Sequence, residues 1–386
     1  MFSVRKTPYL QDMRPDRVTI MWQTEEVCES RVRVWETLRP RVPARPFTLS
    51  GEGCVHTAAP GEMHRVTVEG LKPATTYAYQ LMDENDRPVG EMYPFRTAPE
   101  EDAVISFVLT AEFGGGSLPD NPTAQPIADL IRHEHPDFIL SLGDIVDDGR
   151  IEQQWENYLF YLFGSLMSST PFYPCVGNHE LGGATVRPET EAGLYANYNK
   201  YFALPHYYSF DYGSAHFCVL DAPCMFDDFT ADDVDHYIPH LKPGFMESDQ
   251  IRFLKEDLAA TRARWKFVIF HYPPYTSAIF DLPQLQCLSS IFEENGVDIV
   301  FNSHVIAYER THPLRGGKVA PDGVRHILVG GFVGMEHWFW PKSNGLTVRQ
   351  AGNRPGYVRV CLSPWRLELQ AIDWQGRLFD TLTIDK

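Results

Sequence analysis

The chain has 386 residues and a formal net charge of −17, with 34 Lys and Arg against 51 Asp and Glu. This acidic balance argues against nucleic acid or an anionic membrane surface as a partner, because both attract clusters of Lys and Arg. Hydrophobic residues make up 44% of the sequence, which is enough for a packed core. No apolar run approaches the ~20 residues of a membrane-spanning helix, and the length predicts two domains.

The N-terminal residues and the cysteines bear on the cellular compartment. MFSVRKTPYLQDM contains no apolar segment typical of a secretory signal, so either the protein is cytoplasmic or a signal has been removed. The initial Met favours a cytoplasmic protein. Seven cysteines are scattered without CxxC spacing, which predicts reduced thiols and neither a disulfide framework nor a thiolate zinc site.

Residues 1–100 have the pattern of an all-β domain. Strands are predicted for runs of β-branched and aromatic residues between Gly, Pro and Asp, namely RVTIMWQT (17–24), RVRVWETL (32–39), HRVTVEGL (64–71) and TTYAYQLMD (75–83). Pro73 and Tyr77 in LKPATTYAY resemble the tyrosine corner of fibronectin type III sandwiches, in which case Trp22 belongs to the core. The alternative is that Tyr77 is an ordinary strand aromatic. We predict a fibronectin type III-like β-sandwich.

Residues 101–386 change to an alternation of strands and helices. Strands are predicted at 103–112, 138–146, 265–270 and 297–304, and helices at 122–135, 151–163, 247–264 and 283–295. The last stretch, 357–386, returns to antiparallel strands. Such alternation predicts an α/β domain whose strands are buried on both faces.

Several predicted strands of this domain end at residues that can bind a metal ion. Asp144 follows FILSLG, Asn178 and His179 follow FYPCVG, His271 follows KFVIF, and His304 follows VDIVFNS. Loops at the carboxyl ends of strands converge in open α/β sheets, so we expect these side chains to meet. One carboxylate, one amide oxygen and two imidazoles suit Zn²⁺, Mn²⁺ or Fe. Any one of them alone is more often structural, but their succession predicts a metal site.

The motifs GDxxD, GNHE, VxxHxPxY and HxxAYER, in this order, resemble the calcineurin-like metallophosphoesterases. They are most similar to the purple acid phosphatase branch, whose members carry an N-terminal fibronectin-like domain. The resemblance implies an α+β sandwich domain with a mixed central sheet. It also implies that the domain hydrolyses phosphate esters, with metal-bound hydroxide attacking phosphorus between two ions roughly 3.5–4 Å apart. It implies that Asp144 bridges the ions and that Asn178, His271 and His304 complete the second site. His179 would contact the phosphate and protonate the leaving oxygen.

The first metal site of the family is altered at three positions. Glu112 in TAEFGGG lies nearest to the expected Asp, Asp147 stands where the purple branch has its iron-binding Tyr, and Ile306 replaces the second His of a GHxH motif. Glu112 and Asp147 are candidate carboxylate ligands, whereas Ile306 has no lone pair to donate. The altered site would favour a harder ion such as Mg²⁺, Mn²⁺ or Ca²⁺, and the alternative is an empty site. His312 or His337 could supply the missing donor, although each is more often a loop histidine unrelated to metal. Without the Tyr ligand we expect a colourless protein.

Three functions remain open at this point. The first is a phosphoesterase with a rebuilt first site, using one or two ions among Zn, Mn, Fe and Mg, and the second is a slow enzyme with one ion. The third is a non-catalytic module that binds a metal ion or a phosphorylated ligand. HWFWP (337–341) fits a stacking platform for an organic leaving group, although ordinary loop packing is the more common explanation of such a stretch.

Overall fold

The computed structural model describes residues 2–37, 48–100, 103–114, 121–182, 191–226, 240–278, 282–333 and 344–386. Its N-terminal part is all-β and contains β1 (Val4–Gln11), β2 (Arg17–Glu36), β3 (Cys54–Glu69), β4 (Thr76–Met82) and β5 (Pro88–Arg96). The long strand β2 pairs with β1, β3 and β4, and β5 pairs with β4. All of these pairings are antiparallel, which agrees with the all-β prediction.

The core of this part contains the aromatic residues that the strand pattern indicated. Trp22 is fully buried and stacks on His64, with ring centroids 4.5 Å apart. The hydroxyl of Tyr77 accepts a hydrogen bond from the main-chain N–H of Lys72 at 2.9 Å. This return contact to upstream backbone is the one that defines a tyrosine corner.

The second part contains seven α-helices in the described residues and ends in antiparallel strands. The helices are α1 (Ala124–Glu134), α2 (Glu152–Trp155), α3 (Tyr161–Met167), α4 (Glu191–Leu194), α5 (Ala196–Tyr201), α6 (Asp249–Ala260) and α7 (Ser289–Glu294). A π-helical turn, Glu156–Phe160, joins α2 to α3. Short 3-10 turns lie at His179–Leu181, Pro223–Met225, Phe245–Glu247 and Pro283–Leu288.

The strands of this part form two larger sheets and a small two-stranded one. In chain order they are β6 (Ile105–Thr110), β7 (Phe138–Ser141), β8 (Phe172–Tyr173), β9 (Tyr208–Tyr212), β10 (Ala215–Val219), β11 (Trp265–Ile269), β12 (Ile299–Asn302), β13 (Tyr308–Thr311), β14 (Leu314–Arg315), β15 (Lys318–Val319), β16 (Arg325–Leu328), β17 (Thr347–Ala351), β18 (Gly356–Leu362), β19 (Arg366–Asp373) and β20 (Leu378–Asp385). One sheet has the order β20-β19-β18-β6-β7-β8, the other β17-β13-β16-β12-β11-β10-β9, and β14 pairs with β15.

Aromatic side chains pack the two larger sheets against each other. Phe107 and Phe138 from one sheet meet Phe217 from the other in edge-on contacts, with centroids 5.3 and 5.4 Å apart. Both sheets are mixed, since β6–β8 and β10–β12 run parallel while the outer strands are antiparallel. The prediction of an all-β part followed by a mixed α/β part is confirmed.

The parallel strands position the loops that matter for function. Strands β6, β7 and β8 in one sheet and β11 and β12 in the other lead into the segments that carry the predicted metal-binding residues. Every residue of β7 and β12 is buried, because both sides of these strands are covered. Within the described residues, no helix is long and apolar enough to cross a bilayer.

The two parts of the chain meet through β1 and the helical segment that follows β7. The side chain of Lys6 is 1% exposed and its ammonium contacts the carboxylate of Glu156. The hydroxyl of Tyr9 donates to the carbonyl of Tyr201 at 2.8 Å, and that of Ser168 donates to the carbonyl of Pro8 at 2.6 Å. Buried polar contacts of this kind hold the helical segments of the second part against the first domain.

Candidate metal centre

Three of the predicted metal-binding side chains converge at the carboxyl ends of the parallel strands. The ligand atoms of Asp144, His271 and His304 all lie within 4.8 Å of one another. His271 Nε2 lies 3.0 Å from Asp144 Oδ2 and 3.1 Å from the amide oxygen of Asn178. Two imidazoles, a carboxylate and an amide oxygen therefore face a common point, which is a donor set that suits a transition-metal ion.

The backbone around this point is strained. Glu112, Asp144, His304 and Ile306 have φ angles of 52°, 54°, 74° and 53°, in the left-handed region that residues with a Cβ rarely adopt. Each such residue costs about 1–2 kcal/mol relative to the right-handed conformation. Strain of this kind persists where the surrounding structure enforces it, and it is concentrated at functional sites.

The buried carboxylate of Glu180 enforces the turn at Asp144. It accepts hydrogen bonds from the main-chain N–H groups of Asp144, Ile145 and Gly177, at 2.9, 2.6 and 2.6 Å. These bonds join the loop after β7 to the loop after β8. Glu180 was not among the residues predicted from the sequence, although its place in the GNHE motif was a signal that could have identified it.

His179 lies at the rim of this group. Its main-chain N–H donates to Asp144 Oδ1 at 2.9 Å, and its Nε2 lies 4.0 Å from Asp144 Oδ2, while the side chain remains 40% exposed. The other ring nitrogen, Nδ1, lies 2.7 Å from the main-chain carbonyl of Asp147. One edge of the ring is thus held by backbone, and the other faces the space above Asp144.

Glu112 lies next to the group, but one of its oxygens is already engaged. Glu112 Oε1 accepts hydrogen bonds from the hydroxyl of Ser303 at 2.9 Å and from the main-chain N–H of His304 at 2.7 Å. The same oxygen lies 3.9 Å from His271 Nε2. Ser303 thus supplies a hydrogen-bond donor to this carboxylate.

Asp147 directs one oxygen of its carboxylate toward the helical segment. Asp147 Oδ2 accepts a hydrogen bond from the hydroxyl of Tyr158 at 2.7 Å. Asp147 is not among the three residues whose ligand atoms lie within 4.8 Å of one another. Its assignment as a metal ligand therefore stays a prediction, and the geometry favours a different use. His312 is exposed, and His337 with the HWFWP stretch lies outside the described residues.

Burial and the neighbouring charged groups shift the pKa values of the side chains around this point. Burial and the neighbouring Asp144 raise the pKa of Glu112 to about 8. Burial lowers the pKa of His271, but the Asp144 carboxylate outweighs this effect and raises it to about 9. Burial and the nearby His271 lower the pKa of His304 to about 3, so this imidazole is neutral and can donate a lone pair to a metal ion.

Comparison with known proteins identifies the fold family. Residues 114–308 match the family model described as calcineurin-like phosphoesterase, and residues 7–97 match that of the purple acid phosphatase N-terminal domain. The chain belongs to the calcineurin-like phosphoesterase family. The two matches agree with the resemblance inferred from the motifs, including the purple acid phosphatase branch.

Individual relatives of this calcineurin-like phosphoesterase point to the same branch. Purple acid phosphatase 15 of Arabidopsis thaliana is 28% identical over 309 residues, covering 70% of this chain and 53% of that protein. The chain therefore spans about half the length of this curated relative. The structure of purple acid phosphatase PPD1 from yellow lupin (Lupinus luteus) matches with a TM-score of 0.76 at 20% identity, covering 98% of this chain and 74% of the lupin chain. A structure of PhoD matches with a TM-score of 0.75 at 14% identity, covering 98% of this chain and 90% of PhoD.

Proposed function

We propose that this chain hydrolyses phosphate esters at the centre formed by Asp144, Asn178, His271 and His304. The observation that carries the proposal is the convergence of these side chains from separate strand ends. Their donor atoms fit a divalent or trivalent ion such as Zn²⁺, Mn²⁺ or Fe. When bound there, such an ion supplies positive charge and Lewis acidity to a phosphoryl group.

The protein side chains contribute orientation and proton transfer. The hydrogen bonds from Glu180 hold Asp144 in its strained turn, so the carboxylate stays directed at the two imidazoles. When its ring is protonated on both nitrogens, His179 presents Nε2–H above Asp144, where it can donate this proton to the oxygen of the departing group and return to the neutral form. Because its opposite edge is held by the Asp147 carbonyl, the ring need not reorient during the reaction.

We further propose that the centre holds one ion. The residues at the family's first site do not fit a second ion well, since Ile306 has no lone pair and one oxygen of Glu112 is engaged by Ser303 and His304. The carboxylate of Asp147 is directed to Tyr158. Each ~1.36 kcal/mol of transition-state stabilisation lost with a second ion lowers the rate about tenfold, so we expect slow turnover and a preference for activated esters.

A second candidate function follows from the same alteration. A protein that keeps one metal site and loses the other retains the means to bind a phosphate group without the means to hydrolyse it quickly. The engagement of Glu112 by hydrogen bonds favours this candidate, because the carboxylate is then held by protein donors. This second candidate function is that of a binding module for a phosphorylated ligand.

The deciding experiment measures metal content and turnover together. The protein is loaded with Zn²⁺, Mn²⁺ or Mg²⁺, ions per chain are counted by plasma mass spectrometry, and hydrolysis of p-nitrophenyl phosphate and bis(p-nitrophenyl) phosphate is followed. His304→Ala should lose the ion and the activity, whereas His312→Ala, at an exposed histidine of the same region, should keep both.

Each outcome distinguishes the candidates. About one ion per chain with turnover that depends on His304 supports the hydrolase. One ion with inorganic phosphate binding and no turnover of either ester supports the binding module. A protein that retains no ion under any loading condition contradicts both.

A further inference from the structure

A cavity of about 910 Å³ lies where the first domain, the segment between β5 and β6, and the second domain meet. Its lining includes Arg14 from the first domain, Glu100 from the connecting segment, and residues of the β9–β10 hairpin and of the chain that follows α6. Cavities of this size accommodate small organic ligands.

The cavity is separate from the metal centre. Ser214, which lines it, directly precedes β10, and β10 runs parallel to β11, whose opposite end leads to His271. Each of these strands has five residues, so at roughly 3.3 Å per residue the cavity and the metal centre are about 16 Å apart along the sheet. None of the lining residues is a proposed metal ligand.

Ser214 carries a hydroxyl that the protein leaves without a partner. The residue is only 7% exposed, and its Oγ is buried with no hydrogen-bond partner among the described residues. A buried hydroxyl in this state lowers the stability of the fold, so it calls for an explanation. Rotation about its one side-chain torsion moves the hydroxyl among three positions, and a ligand in the cavity can then supply the missing partner.

Arg262 and Arg264 bring two guanidinium groups to the same cavity. Neither has a carboxylate partner among the described residues, although the chain as a whole is strongly acidic. The guanidinium of Arg264 lies over the ring of Trp365, 3.6 Å from its centroid, which orients the group and leaves its N–H edges free. The planar fork of an arginine matches the oxygens of a phosphate.

The carboxylates of the hairpin and of α6 do not neutralise these arginines, because they are paired with an imidazole. His216 Nδ1 lies 2.8 Å from Asp211 Oδ1, and His216 Nε2 lies 2.8 Å from Asp257 Oδ2. Asp257 also accepts from the hydroxyl of Ser209 at 2.6 Å. Asp211 is different, since its side chain is 70% exposed and its second oxygen is available to accept from a ligand hydroxyl.

We propose that this cavity binds a small phosphorylated polyol, of the chemical class of a sugar phosphate. Its phosphate lies on Arg262 and Arg264, and its hydroxyls bind Ser214 and Asp211. A phosphate monoester carries a charge of about −1.5 to −2 at pH 7, which two guanidinium groups match. A ligand hydroxyl both donates and accepts, as the side chains of Ser214 and Asp211 require. Binding here does not require hydrolysis of the ligand.

The test titrates three probes into the full chain by isothermal titration calorimetry. They are the methylene phosphonate analogue of glucose 6-phosphate, which has no ester bond to hydrolyse, glucose, and inorganic phosphate. Each is titrated into the Zn²⁺-loaded wild type and into His304→Ala, which separates the cavity from the metal centre. In the His304→Ala background, Arg262→Ala and Ser214→Ala are compared with Arg252→Ala, which removes an exposed arginine of α6 outside the cavity lining.

We expect the phosphonate to bind His304→Ala at one site per chain, and more tightly than glucose or inorganic phosphate, because only the phosphonate engages both halves of the site. Arg262→Ala should weaken this binding about tenfold or more, since it removes a charge-assisted hydrogen-bonding group. Ser214→Ala should weaken it several-fold and should not lower the Tm of the unliganded protein, because the hydroxyl has no protein partner. Arg252→Ala should bind the phosphonate as its parent does.

The inference is overturned if the phosphonate binds only the Zn²⁺-loaded wild type, since the ligand would then lie at the metal centre. Equal affinity for the phosphonate and inorganic phosphate would mean a simple anion site, and equal affinity for the phosphonate and glucose a neutral sugar site; both contradict the proposal. Unchanged binding in Arg262→Ala and Ser214→Ala would place the ligand outside this cavity. None of these results decides the proposed hydrolase activity, which turnover of p-nitrophenyl phosphate tests separately.

Discussion

Ile306→His tests whether the missing donor is what prevents a second ion from binding. Ile306 has a φ of 53°, and this left-handed conformation is especially unfavourable for a β-branched side chain, at about 1–2 kcal/mol. His tolerates this conformation better than Ile, which stabilises the variant. This gain offsets a loss of hydrophobic stabilisation, since full burial of an Ile side chain contributes ~1.5–3 kcal/mol and the substitution removes part of it. The free energy of unfolding of the metal-free variant should therefore stay within about 1 kcal/mol of the wild type.

The effect of the new imidazole donor is measured by the part of the free energy of unfolding that depends on added metal ion. If a second ion binds the folded state, a concentration of 100 times its dissociation constant adds about 2.7 kcal/mol to the free energy of unfolding. For a domain of 150–250 residues, each kcal/mol raises Tm by roughly 2–4 °C, so the extra shift should be about 5–10 °C. Thermal unfolding with and without Mn²⁺ measures it, together with a rise from about one to about two ions per chain.

Ile306→Leu is the matched control, because it keeps the apolar volume and offers no ligand atom. It should show the same metal-dependent shift as the wild type. If Ile306→His also shows only that shift and retains one ion, the missing imidazole is not the limiting feature. The hydrogen bonds that engage Glu112 would then account for the closed first site.

Three other changes test the scaffold. Burial lowers the pKa of His216, but hydrogen bonds with Asp211 and Asp257 outweigh it and raise the pKa to about 9. Because the folded-state pKa of His216 exceeds its unfolded value of 6.5, the protonated ring stabilises the folded chain by about 3 kcal/mol. This stabilisation is complete below pH 6.5 and is lost as the pH rises through 9. Urea unfolding across this pH range should show the loss in the wild type and not in His216→Gln. Tyr77→Phe removes the acceptor of the tyrosine corner and should lower the free energy of unfolding by about 1 kcal/mol. Urea titration measures this change, and an unchanged free energy of unfolding would contradict a stabilising role for the contact. Lys6→Met removes the buried ammonium from Gln23 and from Glu156, which keeps its ion pair with Arg5 at 3.2 Å. It should destabilise the chain by about 1–3 kcal/mol in the same assay, and an unchanged midpoint would contradict a stabilising role for this ammonium.

Much of the metal centre follows from local patterns in the chain. Asp144, His271 and His304 each come just after an apolar run, and the carboxyl ends of parallel strands must meet at one edge of a sheet. The period of the apolar residues also predicts the change from an all-β part to an alternating part. These features depend on a few neighbouring residues, so they can be read without knowing the tertiary contacts.

The roles of Glu112 and Asp147 depend on contacts between residues far apart in the chain. Their residue types and places in the motifs are compatible with metal binding, and only the folded chain brings Ser303 to one carboxylate and Tyr158 to the other. A carboxylate accepts a metal ion or a proton donor equally well, so its partner is chosen by whatever the fold places within about 3 Å. Long-range packing makes that choice, and it also inserts the π-helical turn into what the apolar pattern describes as one continuous helix.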